Sequence, residues 1–376
     1  MPKFPLIRPD LPPISAWIPV LEEAYRCGRF SNFGPLSRRL EGILEESWGG
    51  AETVCVATSS GTTALAAPLI ASGITGRVIV PAFTFPATLS AIRMAGAVPF
   101  LVDVSPDDWR VSADTLARAV DATGAQGAML LCPFGQQSDF HPHAALLGSR
   151  GGLLVVDNAA GLGVARMQLE SRPWCFEACS LHATKPFAVG EGGVVFAHRS
   201  REDGLRRALN FGLKPGSPSE LDGWGINGKL SEMHAAVGIA TAAGFTKRLG
   251  RRRAVVKRYI DALAGFPEIT ACTDPMASSW QLFPMLLPTS EAAGRFIAAA
   301  GDGGMEIRRY YAPALSCMPE VDRLGPCPVA ESLAKRMCCV PVYADATQEE
   351  EVEMAEVFQR ALAAAMVRTS FKHSCP

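Results

Sequence analysis

The first half of the chain alternates short, almost uninterrupted apolar runs with longer stretches of helical periodicity. Gly, Pro or Asp separates the two kinds of segment, and the apolar runs lie at residues 53–58, 77–81, 98–104, 127–133 and 153–160. Strands that are buried on both faces, as in a parallel sheet, have this uniformly apolar character. The pattern therefore predicts an α/β fold with a mostly parallel sheet and helices on both of its faces.

The remainder of the chain predicts a second, smaller domain. After about residue 250 the sequence has the pattern of an α+β unit, and Thr347 and Glu350 have the capping-box spacing that marks the start of a last helix. The length of 376 residues suits two domains. We expect a large α/β domain with an N-terminal arm at residues 1–250 and a small C-terminal α+β domain at residues 251–376.

Composition limits the partners and the location. Lys and Arg total 36 and Asp and Glu total 37, so the net charge is −1 and no overall basic field favours nucleic acid or acidic lipid. The basic segment at 247–259 is expected to be a solvated helix face. The 11 cysteines lack a recurring CxxC spacing, and the proline-interrupted N-terminal segment has no signal-peptide core. We therefore expect a cytoplasmic protein with no nucleic-acid and no membrane partner.

Three motifs in the α/β part carry chemistry. Ser60, Gly61 and Thr62 stand between a predicted strand and a predicted helix, where unpaired helical N–H groups can bind phosphate. Asp157 ends an apolar strand at the carboxyl edge of the sheet, where open α/β folds bind ligands. Lys185 follows a predicted strand, and a poorly solvated lysine has a lowered pKa that favours imine formation. Each motif alone also fits a structural role, as a helix cap, a turn or a solvated lysine.

Together, a phosphate site, an acid for a pyridine nitrogen and a Schiff-base lysine are what a protein contributes to pyridoxal phosphate chemistry. The chain resembles the DegT-type sugar aminotransferases, a branch of the fold-type I, aspartate aminotransferase-like enzymes. The resemblance runs from about residue 30 to 259 and continues more weakly to the C-terminus. The matching strings are FSNFGPLSRRLE (30–41), SSGTTAL (59–65), PAFTFPAT (81–88), AGAVPFLVDV (95–104), FGQQSDF (134–140), VVDNAAGLG (155–163), SLHATKPFAVGEGG (180–193) and GINGKLSEMHAA (225–236).

The resemblance implies a fold-type I transferase with pyridoxal 5'-phosphate as its cofactor. Lys185 would form a Schiff base with the cofactor and then carry a proton for the substrate, and Asp157 would bind the pyridine nitrogen. Phe85 would stack on the ring. The implied cofactor-binding residues are Ser60, Gly61, Thr62, Phe85, Asp157, Ser180, Lys185 and Asn227.

The resemblance also implies a homodimer with shared active sites. Gly61, Thr62 and Ser180 would hold the phosphate in one subunit, and Asn227 would reach the phosphate of the neighbouring subunit. The Gly-, Pro- and Ser-rich segment at 210–228, which is too long for a simple connector, ends beside Asn227.

Two positions differ from the usual pattern of the family. Ala160 stands where glutamine or histidine is usual, and Lys229 stands where arginine is usual. His182 is expected to pack or hydrogen-bond near the cofactor, with a second base as the alternative. His141 and His143 lack partnering Cys or carboxylate residues at metal-ligand spacing, so no metal site is expected.

The resemblance also places residues 308–311 near the substrate entrance. Arg308, Arg309, Tyr310 and Tyr311 would be either diphosphate ligands or an edge strand.

The leading hypothesis is an aminotransferase of amino-sugar biosynthesis with ping-pong kinetics. It would move an amino group from an amino acid, glutamate or glutamine, to a keto-sugar, with a nucleotide sugar as the commonest substrate of the family. The alternatives are a keto-cyclitol substrate, a cofactor-dependent sugar dehydratase and a catalytically silent scaffold homologue. In the dehydratase branch histidine replaces the lysine, so Lys185 argues against it, whereas Ala160 and Lys229 keep the scaffold as an alternative.

Overall fold

The computed structural model describes residues 2–164 and 172–367. The helices are α1 (Ile14–Cys27), α2 (Pro35–Trp48), α3 (Gly61–Ala71), α4 (Pro86–Met94), α5 (Ala113–Thr123), α6 (His141–Ser149), α7 (Glu202–Ala208), α8 (Glu232–Leu263), α9 (Ser290–Asp302), α10 (Pro328–Arg336) and α11 (Gln348–Met366). The strands are β1 (Thr53–Thr58), β2 (Arg77–Pro81), β3 (Val98–Val102), β4 (Gly127–Leu131), β5 (Leu153–Asp157), β6 (Cys175–Ser180), β7 (Gly193–His198), β8 (Thr270–Ala271), β9 (Leu282–Leu286), β10 (Arg308–Arg309), β11 (Asp322–Arg323) and β12 (Met337–Pro341).

Eight strands form the large sheet, in the order β1-β7-β6-β5-β4-β2-β3-β11. Pairing is parallel from β6 to β11, and β7 runs antiparallel to both β1 and β6. All residues of β1, β4, β5 and β6 are buried. The prediction of a mostly parallel, doubly covered sheet is therefore confirmed.

A second sheet of four antiparallel strands, in the order β10-β12-β9-β8, lies in the C-terminal part of the chain. Helices α9 and α11 pack on each other beside it, around a core that includes Tyr259, Phe283 and Phe358. Helix α11 begins with the predicted capping box of Thr347 and Glu350. None of the helices within residues 2–164 and 172–367 is long and apolar enough to cross a membrane.

Helix α8 connects the two cores. Its first half contributes Ala235 and Phe245 to the core beneath the large sheet, and its second half contributes Val256 and Leu263 to the other core. The sequence-based boundary at residue 250 therefore falls inside a continuous helix, and the division into two domains there stays a prediction.

One expectation for α8 is wrong in part. The segment 247–259 is not uniformly solvated, because Arg252 is only 4% exposed. One terminal nitrogen of its guanidinium donates to the carbonyl oxygens of Trp280 (3.1 Å) and Val342 (2.8 Å), so backbone acceptors satisfy part of this buried charged group. The periodicity of basic residues could not separate this inward-facing arginine from its exposed neighbours.

Two of the strings that carry the family resemblance meet at the start of α2. Glu232, at the first position of α8, is fully buried, and its carboxylate accepts hydrogen bonds from the backbone N–H groups of Leu36 (2.6 Å) and Ser37 (3.0 Å). These N–H groups have no intrahelical acceptor, and a carboxylate at a helix N-terminus is stabilised by the helix dipole. The contact fixes α8 against α2 and thereby against the large sheet.

Candidate active site

A cavity of about 460 Å³ opens at the carboxyl edge of the large sheet. Seven of the eight residues expected to bind the cofactor line this cavity: Ser60, Gly61, Thr62, Phe85, Asp157, Ser180 and Lys185. Their positions follow from the topology, because β5 ends at Asp157, β6 ends at Ser180, and only two residues separate β1 from α3. Strand ends and a helix start therefore meet in one place, as expected for an open α/β fold.

Gly61 and Ser180 form the narrow end of this cavity. A Cβ atom at Gly61 would lie 2.8 Å from Cβ and 2.9 Å from Oγ of Ser180, which is closer than real Cβ atoms pack. Only glycine fits here, so the N-terminus of α3 approaches the Ser180 hydroxyl directly. The N–H groups of Gly61 and Thr62, in the first turn, lack intrahelical acceptors.

The motif Ser60–Thr63 forms a helix cap, one of the two roles considered for it. Ser60 Oγ accepts from the Thr63 N–H (3.1 Å), and Thr63 Oγ1 accepts from the Ser60 N–H (2.9 Å), so the two residues form a capping box. The cap uses the Ser60 and Thr63 hydroxyls. The first-turn N–H groups of Gly61 and Thr62 are the donors that stay available for a ligand anion.

Asp157 is 3% exposed at the base of the cavity. Its Oδ2 accepts from the Thr88 hydroxyl (2.8 Å) and its Oδ1 from the Ala159 N–H (3.2 Å). Burial raises the pKa of Asp157, while these hydrogen bonds and the charge of Lys185 act in the opposite direction. A cationic N–H group in the cavity would therefore stabilise the ionised carboxylate.

Lys185 lies in the turn between β6 and β7, and its amine reaches the cavity. Burial lowers the pKa of Lys185 to about 8, and Asp157 and Cys179 partly oppose this shift. Near neutral pH a larger fraction of this amine is therefore unprotonated and nucleophilic than in an ordinary exposed lysine. Nζ donates to Oε1 of Gln281 (2.9 Å).

Aromatic rings form the walls. Phe85, which precedes α4, is 54% exposed and lines the cavity. On another wall the rings of Phe134 and Tyr311 are stacked, with centroids 5.5 Å apart and planes 7° apart. Phe85 is thus an accessible ring on the rim, whereas Phe134 is packed into the wall.

Asn227 does not line the cavity of its own chain. It is exposed, and its Oδ1 accepts from Nζ of Lys229 (2.7 Å). Lys229 is buried, its Nζ lies 4.4 Å from the ring centroid of Phe211, and burial lowers its pKa. Lysine at this position therefore acts as a point donor that orients the Asn227 amide.

The entrance carries charged and polar groups. His182 and Glu191 line the cavity together, with Nε2 3.3 Å from Oε1, and Nδ1 of His182 contacts the Thr184 hydroxyl (2.9 Å). Arg308 and Tyr310 also line it.

Arg309 is directed elsewhere and donates to the Ser290 carbonyl (3.2 Å). The four residues 308–311 therefore differ in position. Arg308, Tyr310 and Tyr311 line the cavity, and Arg308 also forms the edge strand β10 together with Arg309.

The histidines near residue 140 have structural partners. His141 Nδ1 lies 2.7 Å from a carboxylate oxygen of Asp139, and His143 Nε2 lies 2.8 Å from the Val111 carbonyl. Within the described residues, no three His, Cys, Asp or Glu side chains are grouped to hold a metal ion.

Sequence reasoning missed Gln281 and Phe134, which both line the cavity. Phe134 lies inside the matching string FGQQSDF and could have been suspected there. Gln281 is a single polar residue before an apolar strand in the C-terminal part of the chain, and no spacing pattern points to it.

Lys185, Asp157 and the N-terminus of α3 thus share one cavity at the carboxyl edge of the large sheet. The model of the DegT/DnrJ/EryC1/StrS aminotransferase family matches residues 15–359. The chain therefore belongs to this family.

Individual relatives agree with this assignment. "Protein Rv3402c" of Mycobacterium tuberculosis is 32% identical over 276 residues, which cover 70% of this chain and 66% of the relative, just under two thirds of its length. The "3-oxo-glucose-6-phosphate:glutamate aminotransferase" of Bacillus subtilis is 25% identical over 355 residues, covering 89% of this chain and 78% of the relative. The solved structure of DesI in the presence of its TDP-sugar product has a TM-score of 0.83 and 25% identity, and covers 97% of this chain and 95% of that one.

Proposed function

We propose that this chain is an aminotransferase that uses pyridoxal 5'-phosphate to move an amino group from glutamate or glutamine to a keto-sugar. The observation that carries the proposal is the presence, in one cavity, of a lysine with a lowered pKa, a buried aspartate and a helix N-terminus. These three groups match the aldehyde, the pyridine nitrogen and the phosphate of the cofactor.

The residues fit this cofactor on their own geometry. The space between Gly61 and Ser180, which a Cβ atom would fill, suits a phosphate against the first-turn N–H groups of α3. The buried carboxylate of Asp157 lies in the same cavity and suits the protonated pyridine nitrogen. Phe85 offers an exposed ring for stacking. When bound, the cofactor supplies the electron-withdrawing ring that stabilises negative charge on the substrate carbon.

Lys185 and Asp157 have separate tasks in this proposal. The neutral amine of Lys185 would hold the cofactor covalently and, once free, its Nζ would accept the proton that leaves the substrate carbon and then release it to a different atom. Asp157 keeps the pyridine nitrogen protonated, because an ionised carboxylate favours a neighbouring cation. Thr88 and the Ala159 N–H hold that carboxylate in place.

The proposed substrates are an amino-acid donor and a phosphorylated or nucleotide-linked keto-sugar. Glutamate would lose its amino group and leave as 2-oxoglutarate, and the keto-sugar would gain that group as a primary amine, so the two half-reactions balance. The side chain of Arg308 lines the cavity, is 58% exposed and pairs with Glu306 Oε1 (2.7 Å), so a diphosphate near the entrance would bind beside this pair or replace Glu306. The relative that uses glutamate and the fold neighbour with a TDP-sugar support this choice.

We further propose a cytoplasmic homodimer in which Asn227 contacts the cofactor phosphate of the other subunit. The exposed amide of Asn227, held by Lys229 away from its own cavity, supports this role. Ser60, Gly61, Thr62 and Ser180 would form the rest of that phosphate site.

The test is an assay of the purified protein with glutamate and a series of keto-substrates. Nucleotide-linked keto-hexoses, a keto-hexose phosphate and a keto-cyclitol are compared, and both 2-oxoglutarate and the amino product are measured. We expect equal amounts of the two products with a keto-sugar. Loss of water from the sugar without amine formation would instead support a dehydratase, and no turnover with any pair would support a scaffold.

A further inference from the structure

Gln281 reaches the amine of Lys185 from the C-terminal part of the chain. It lies just before β9, lines the cavity, and its Oε1 accepts the 2.9 Å hydrogen bond from Nζ. Among the described residues, no other side chain accepts a hydrogen bond from this amine. The carboxylate of Asp157 bonds instead to Thr88 and Ala159.

The backbone before Gln281 is fixed. The three preceding residues are fully buried, and each has a hydrogen bond to a neighbouring segment. These contacts are Ser278 Oγ to the Phe134 carbonyl (3.0 Å), Ser279 Oγ to the Ala160 carbonyl (2.5 Å), and the Arg252 guanidinium to the Trp280 carbonyl (3.1 Å). The backbone that carries Gln281 is therefore held against the cavity wall, within reach of the amine.

The wall at Ala160 has no polar side chain of its own. Ala160 is 9% exposed and lines the cavity, and its carbonyl is engaged by Ser279. Gln281 thus brings in, from a distant part of the sequence, a side-chain acceptor directed at the lysine amine. Its Nε2 is 3.5 Å from the Thr184 hydroxyl, which also orients the amide.

We propose that Gln281 is a positioning residue that holds the free amine of Lys185 and helps to set how readily this amine exchanges its proton. An amide oxygen accepts from both the neutral and the protonated amine, but the hydrogen bond to the charged form is stronger. The role that the amine plays in this inference rests on the proposed function. The hydrogen bond between Gln281 and Lys185 does not depend on that function.

Other charges also act on the same amine. Asp157 and Cys179 raise its pKa and burial lowers it. The remaining titratable groups that line the cavity are Cys132, His182, Glu191, Arg308, Tyr310 and Tyr311. Because these residues are unchanged in a Gln281 variant, a change in the pKa of Lys185 reports the contact with residue 281.

The experiment measures the pKa of Lys185 in the full-length protein after removal of any cofactor. The rate at which 1-fluoro-2,4-dinitrobenzene labels Lys185 is followed against pH by mass spectrometry of its peptide, for wild type, Gln281→Glu and Gln281→Met. Glutamate has the shape of glutamine and adds a negative charge, so we expect the pKa to rise by about 1 or more. Methionine removes the acceptor, so we expect the pKa to fall.

The matched control is Gln359→Met, which places the same change on an exposed position of α11. It should leave the labelling curve unchanged. Circular dichroism verifies that each variant is folded, and Gln281→Glu decides alone if Gln281→Met does not fold. An unchanged pKa in folded Gln281→Glu, or shifts of the same sign in both variants, would overturn the proposal.

The outcome is separable from that of the proposed function. Labelling is measured without cofactor and without substrate, so opposite shifts in an enzyme that turns over no keto-sugar would support the contact and count only against the function. Normal turnover with unshifted labelling curves would support the function and overturn the role of Gln281.

Discussion

Gly61 and Ser180 approach each other so closely that a single added methyl group on Gly61 would overlap the Ser180 side chain, with 2.8 Å between the two Cβ atoms. The N-terminus of α3 and the end of β6 are thereby joined at the proposed phosphate site. Its donors are backbone N–H groups, whose positions depend on this contact.

Gly61→Ala should therefore weaken cofactor binding more than it weakens the fold. Overpacking costs about 1–3 kcal/mol, and about 1.4 kcal/mol corresponds to a tenfold change in affinity. We expect the dissociation constant for pyridoxal phosphate to rise about tenfold or more, measured by equilibrium titration. Gly42→Ala, within α2 and with open space around it, serves as the control for an alanine added elsewhere. Unchanged affinity in Gly61→Ala would remove the phosphate from this site.

Lys185→Ala should abolish turnover and leave a folded protein that still binds the cofactor noncovalently. The amine is both the covalent partner of the cofactor and the proton carrier, whereas Gly61, Ser180 and Phe85 do not depend on it. A positioned acid or base contributes about 10²- to 10⁴-fold in rate. Steady-state kinetics check the loss, and activity within about tenfold of wild type would be incompatible with this role.

Asp157→Asn should reduce kcat far more than cofactor affinity. A neutral amide cannot keep the pyridine nitrogen protonated, so the ring withdraws electrons poorly, while the phosphate contacts stay intact. We expect a loss of at least about 10²-fold in kcat. Single-turnover kinetics with glutamate measure the loss, and a variant with normal rates would identify Asp157 as a turn residue.

The pH dependence of cofactor attachment follows from the lowered pKa of Lys185, which is about 8. The neutral amine is the reactive form, and its fraction rises as the pH increases through the pKa. The rate constant for attachment of pyridoxal phosphate to cofactor-free protein should therefore increase from pH 6.5 and level off above about pH 8 to 9. Stopped-flow absorbance checks the profile. A rise that continues to the pH range of an ordinary exposed lysine would show that the amine is not buried in solution.

The proposed contribution of Asn227 to the other subunit predicts complementation. Mixing Lys185→Ala with Asn227→Ala subunits should place both lesions in one site of each heterodimer and leave the other site intact. Activity should then exceed that of either parent, provided that Asn227→Ala alone is strongly impaired, so this parent is measured first. If each site lies within one chain, mixing gives only the average of the parents, and a strictly monomeric active protein would also exclude the shared site.

The large sheet could be predicted because its strands are buried on both faces. The runs at 53–58 and 77–81 coincide with β1 and β2, whereas those at 98–104 and 127–133 continue past the ends of β3 and β4. Apolar residues persist there because the loops at this edge are themselves buried around the site, as at Pro133 and Phe134. Strand β11 has only two residues, and a segment of that length carries no pattern.

The residues of the candidate site could likewise be predicted only in part from the sequence. Ser60, Gly61, Asp157 and Lys185 lie next to strand or helix ends, so local patterns could indicate them and the family resemblance could join them. Gln281 depends on a contact across 96 residues of sequence with Lys185, and only the folded chain reveals it.

A visible absorption spectrum of the purified protein, recorded before and after the addition of glutamate, tests the central claim most directly. We predict that the protein takes up pyridoxal phosphate with an absorption band that Lys185→Ala lacks, and that glutamate removes this band as the amino group passes to the cofactor. A wild-type protein that takes up no cofactor, or a cofactor band that neither glutamate nor glutamine changes, would contradict the assignment of this chain as an aminotransferase.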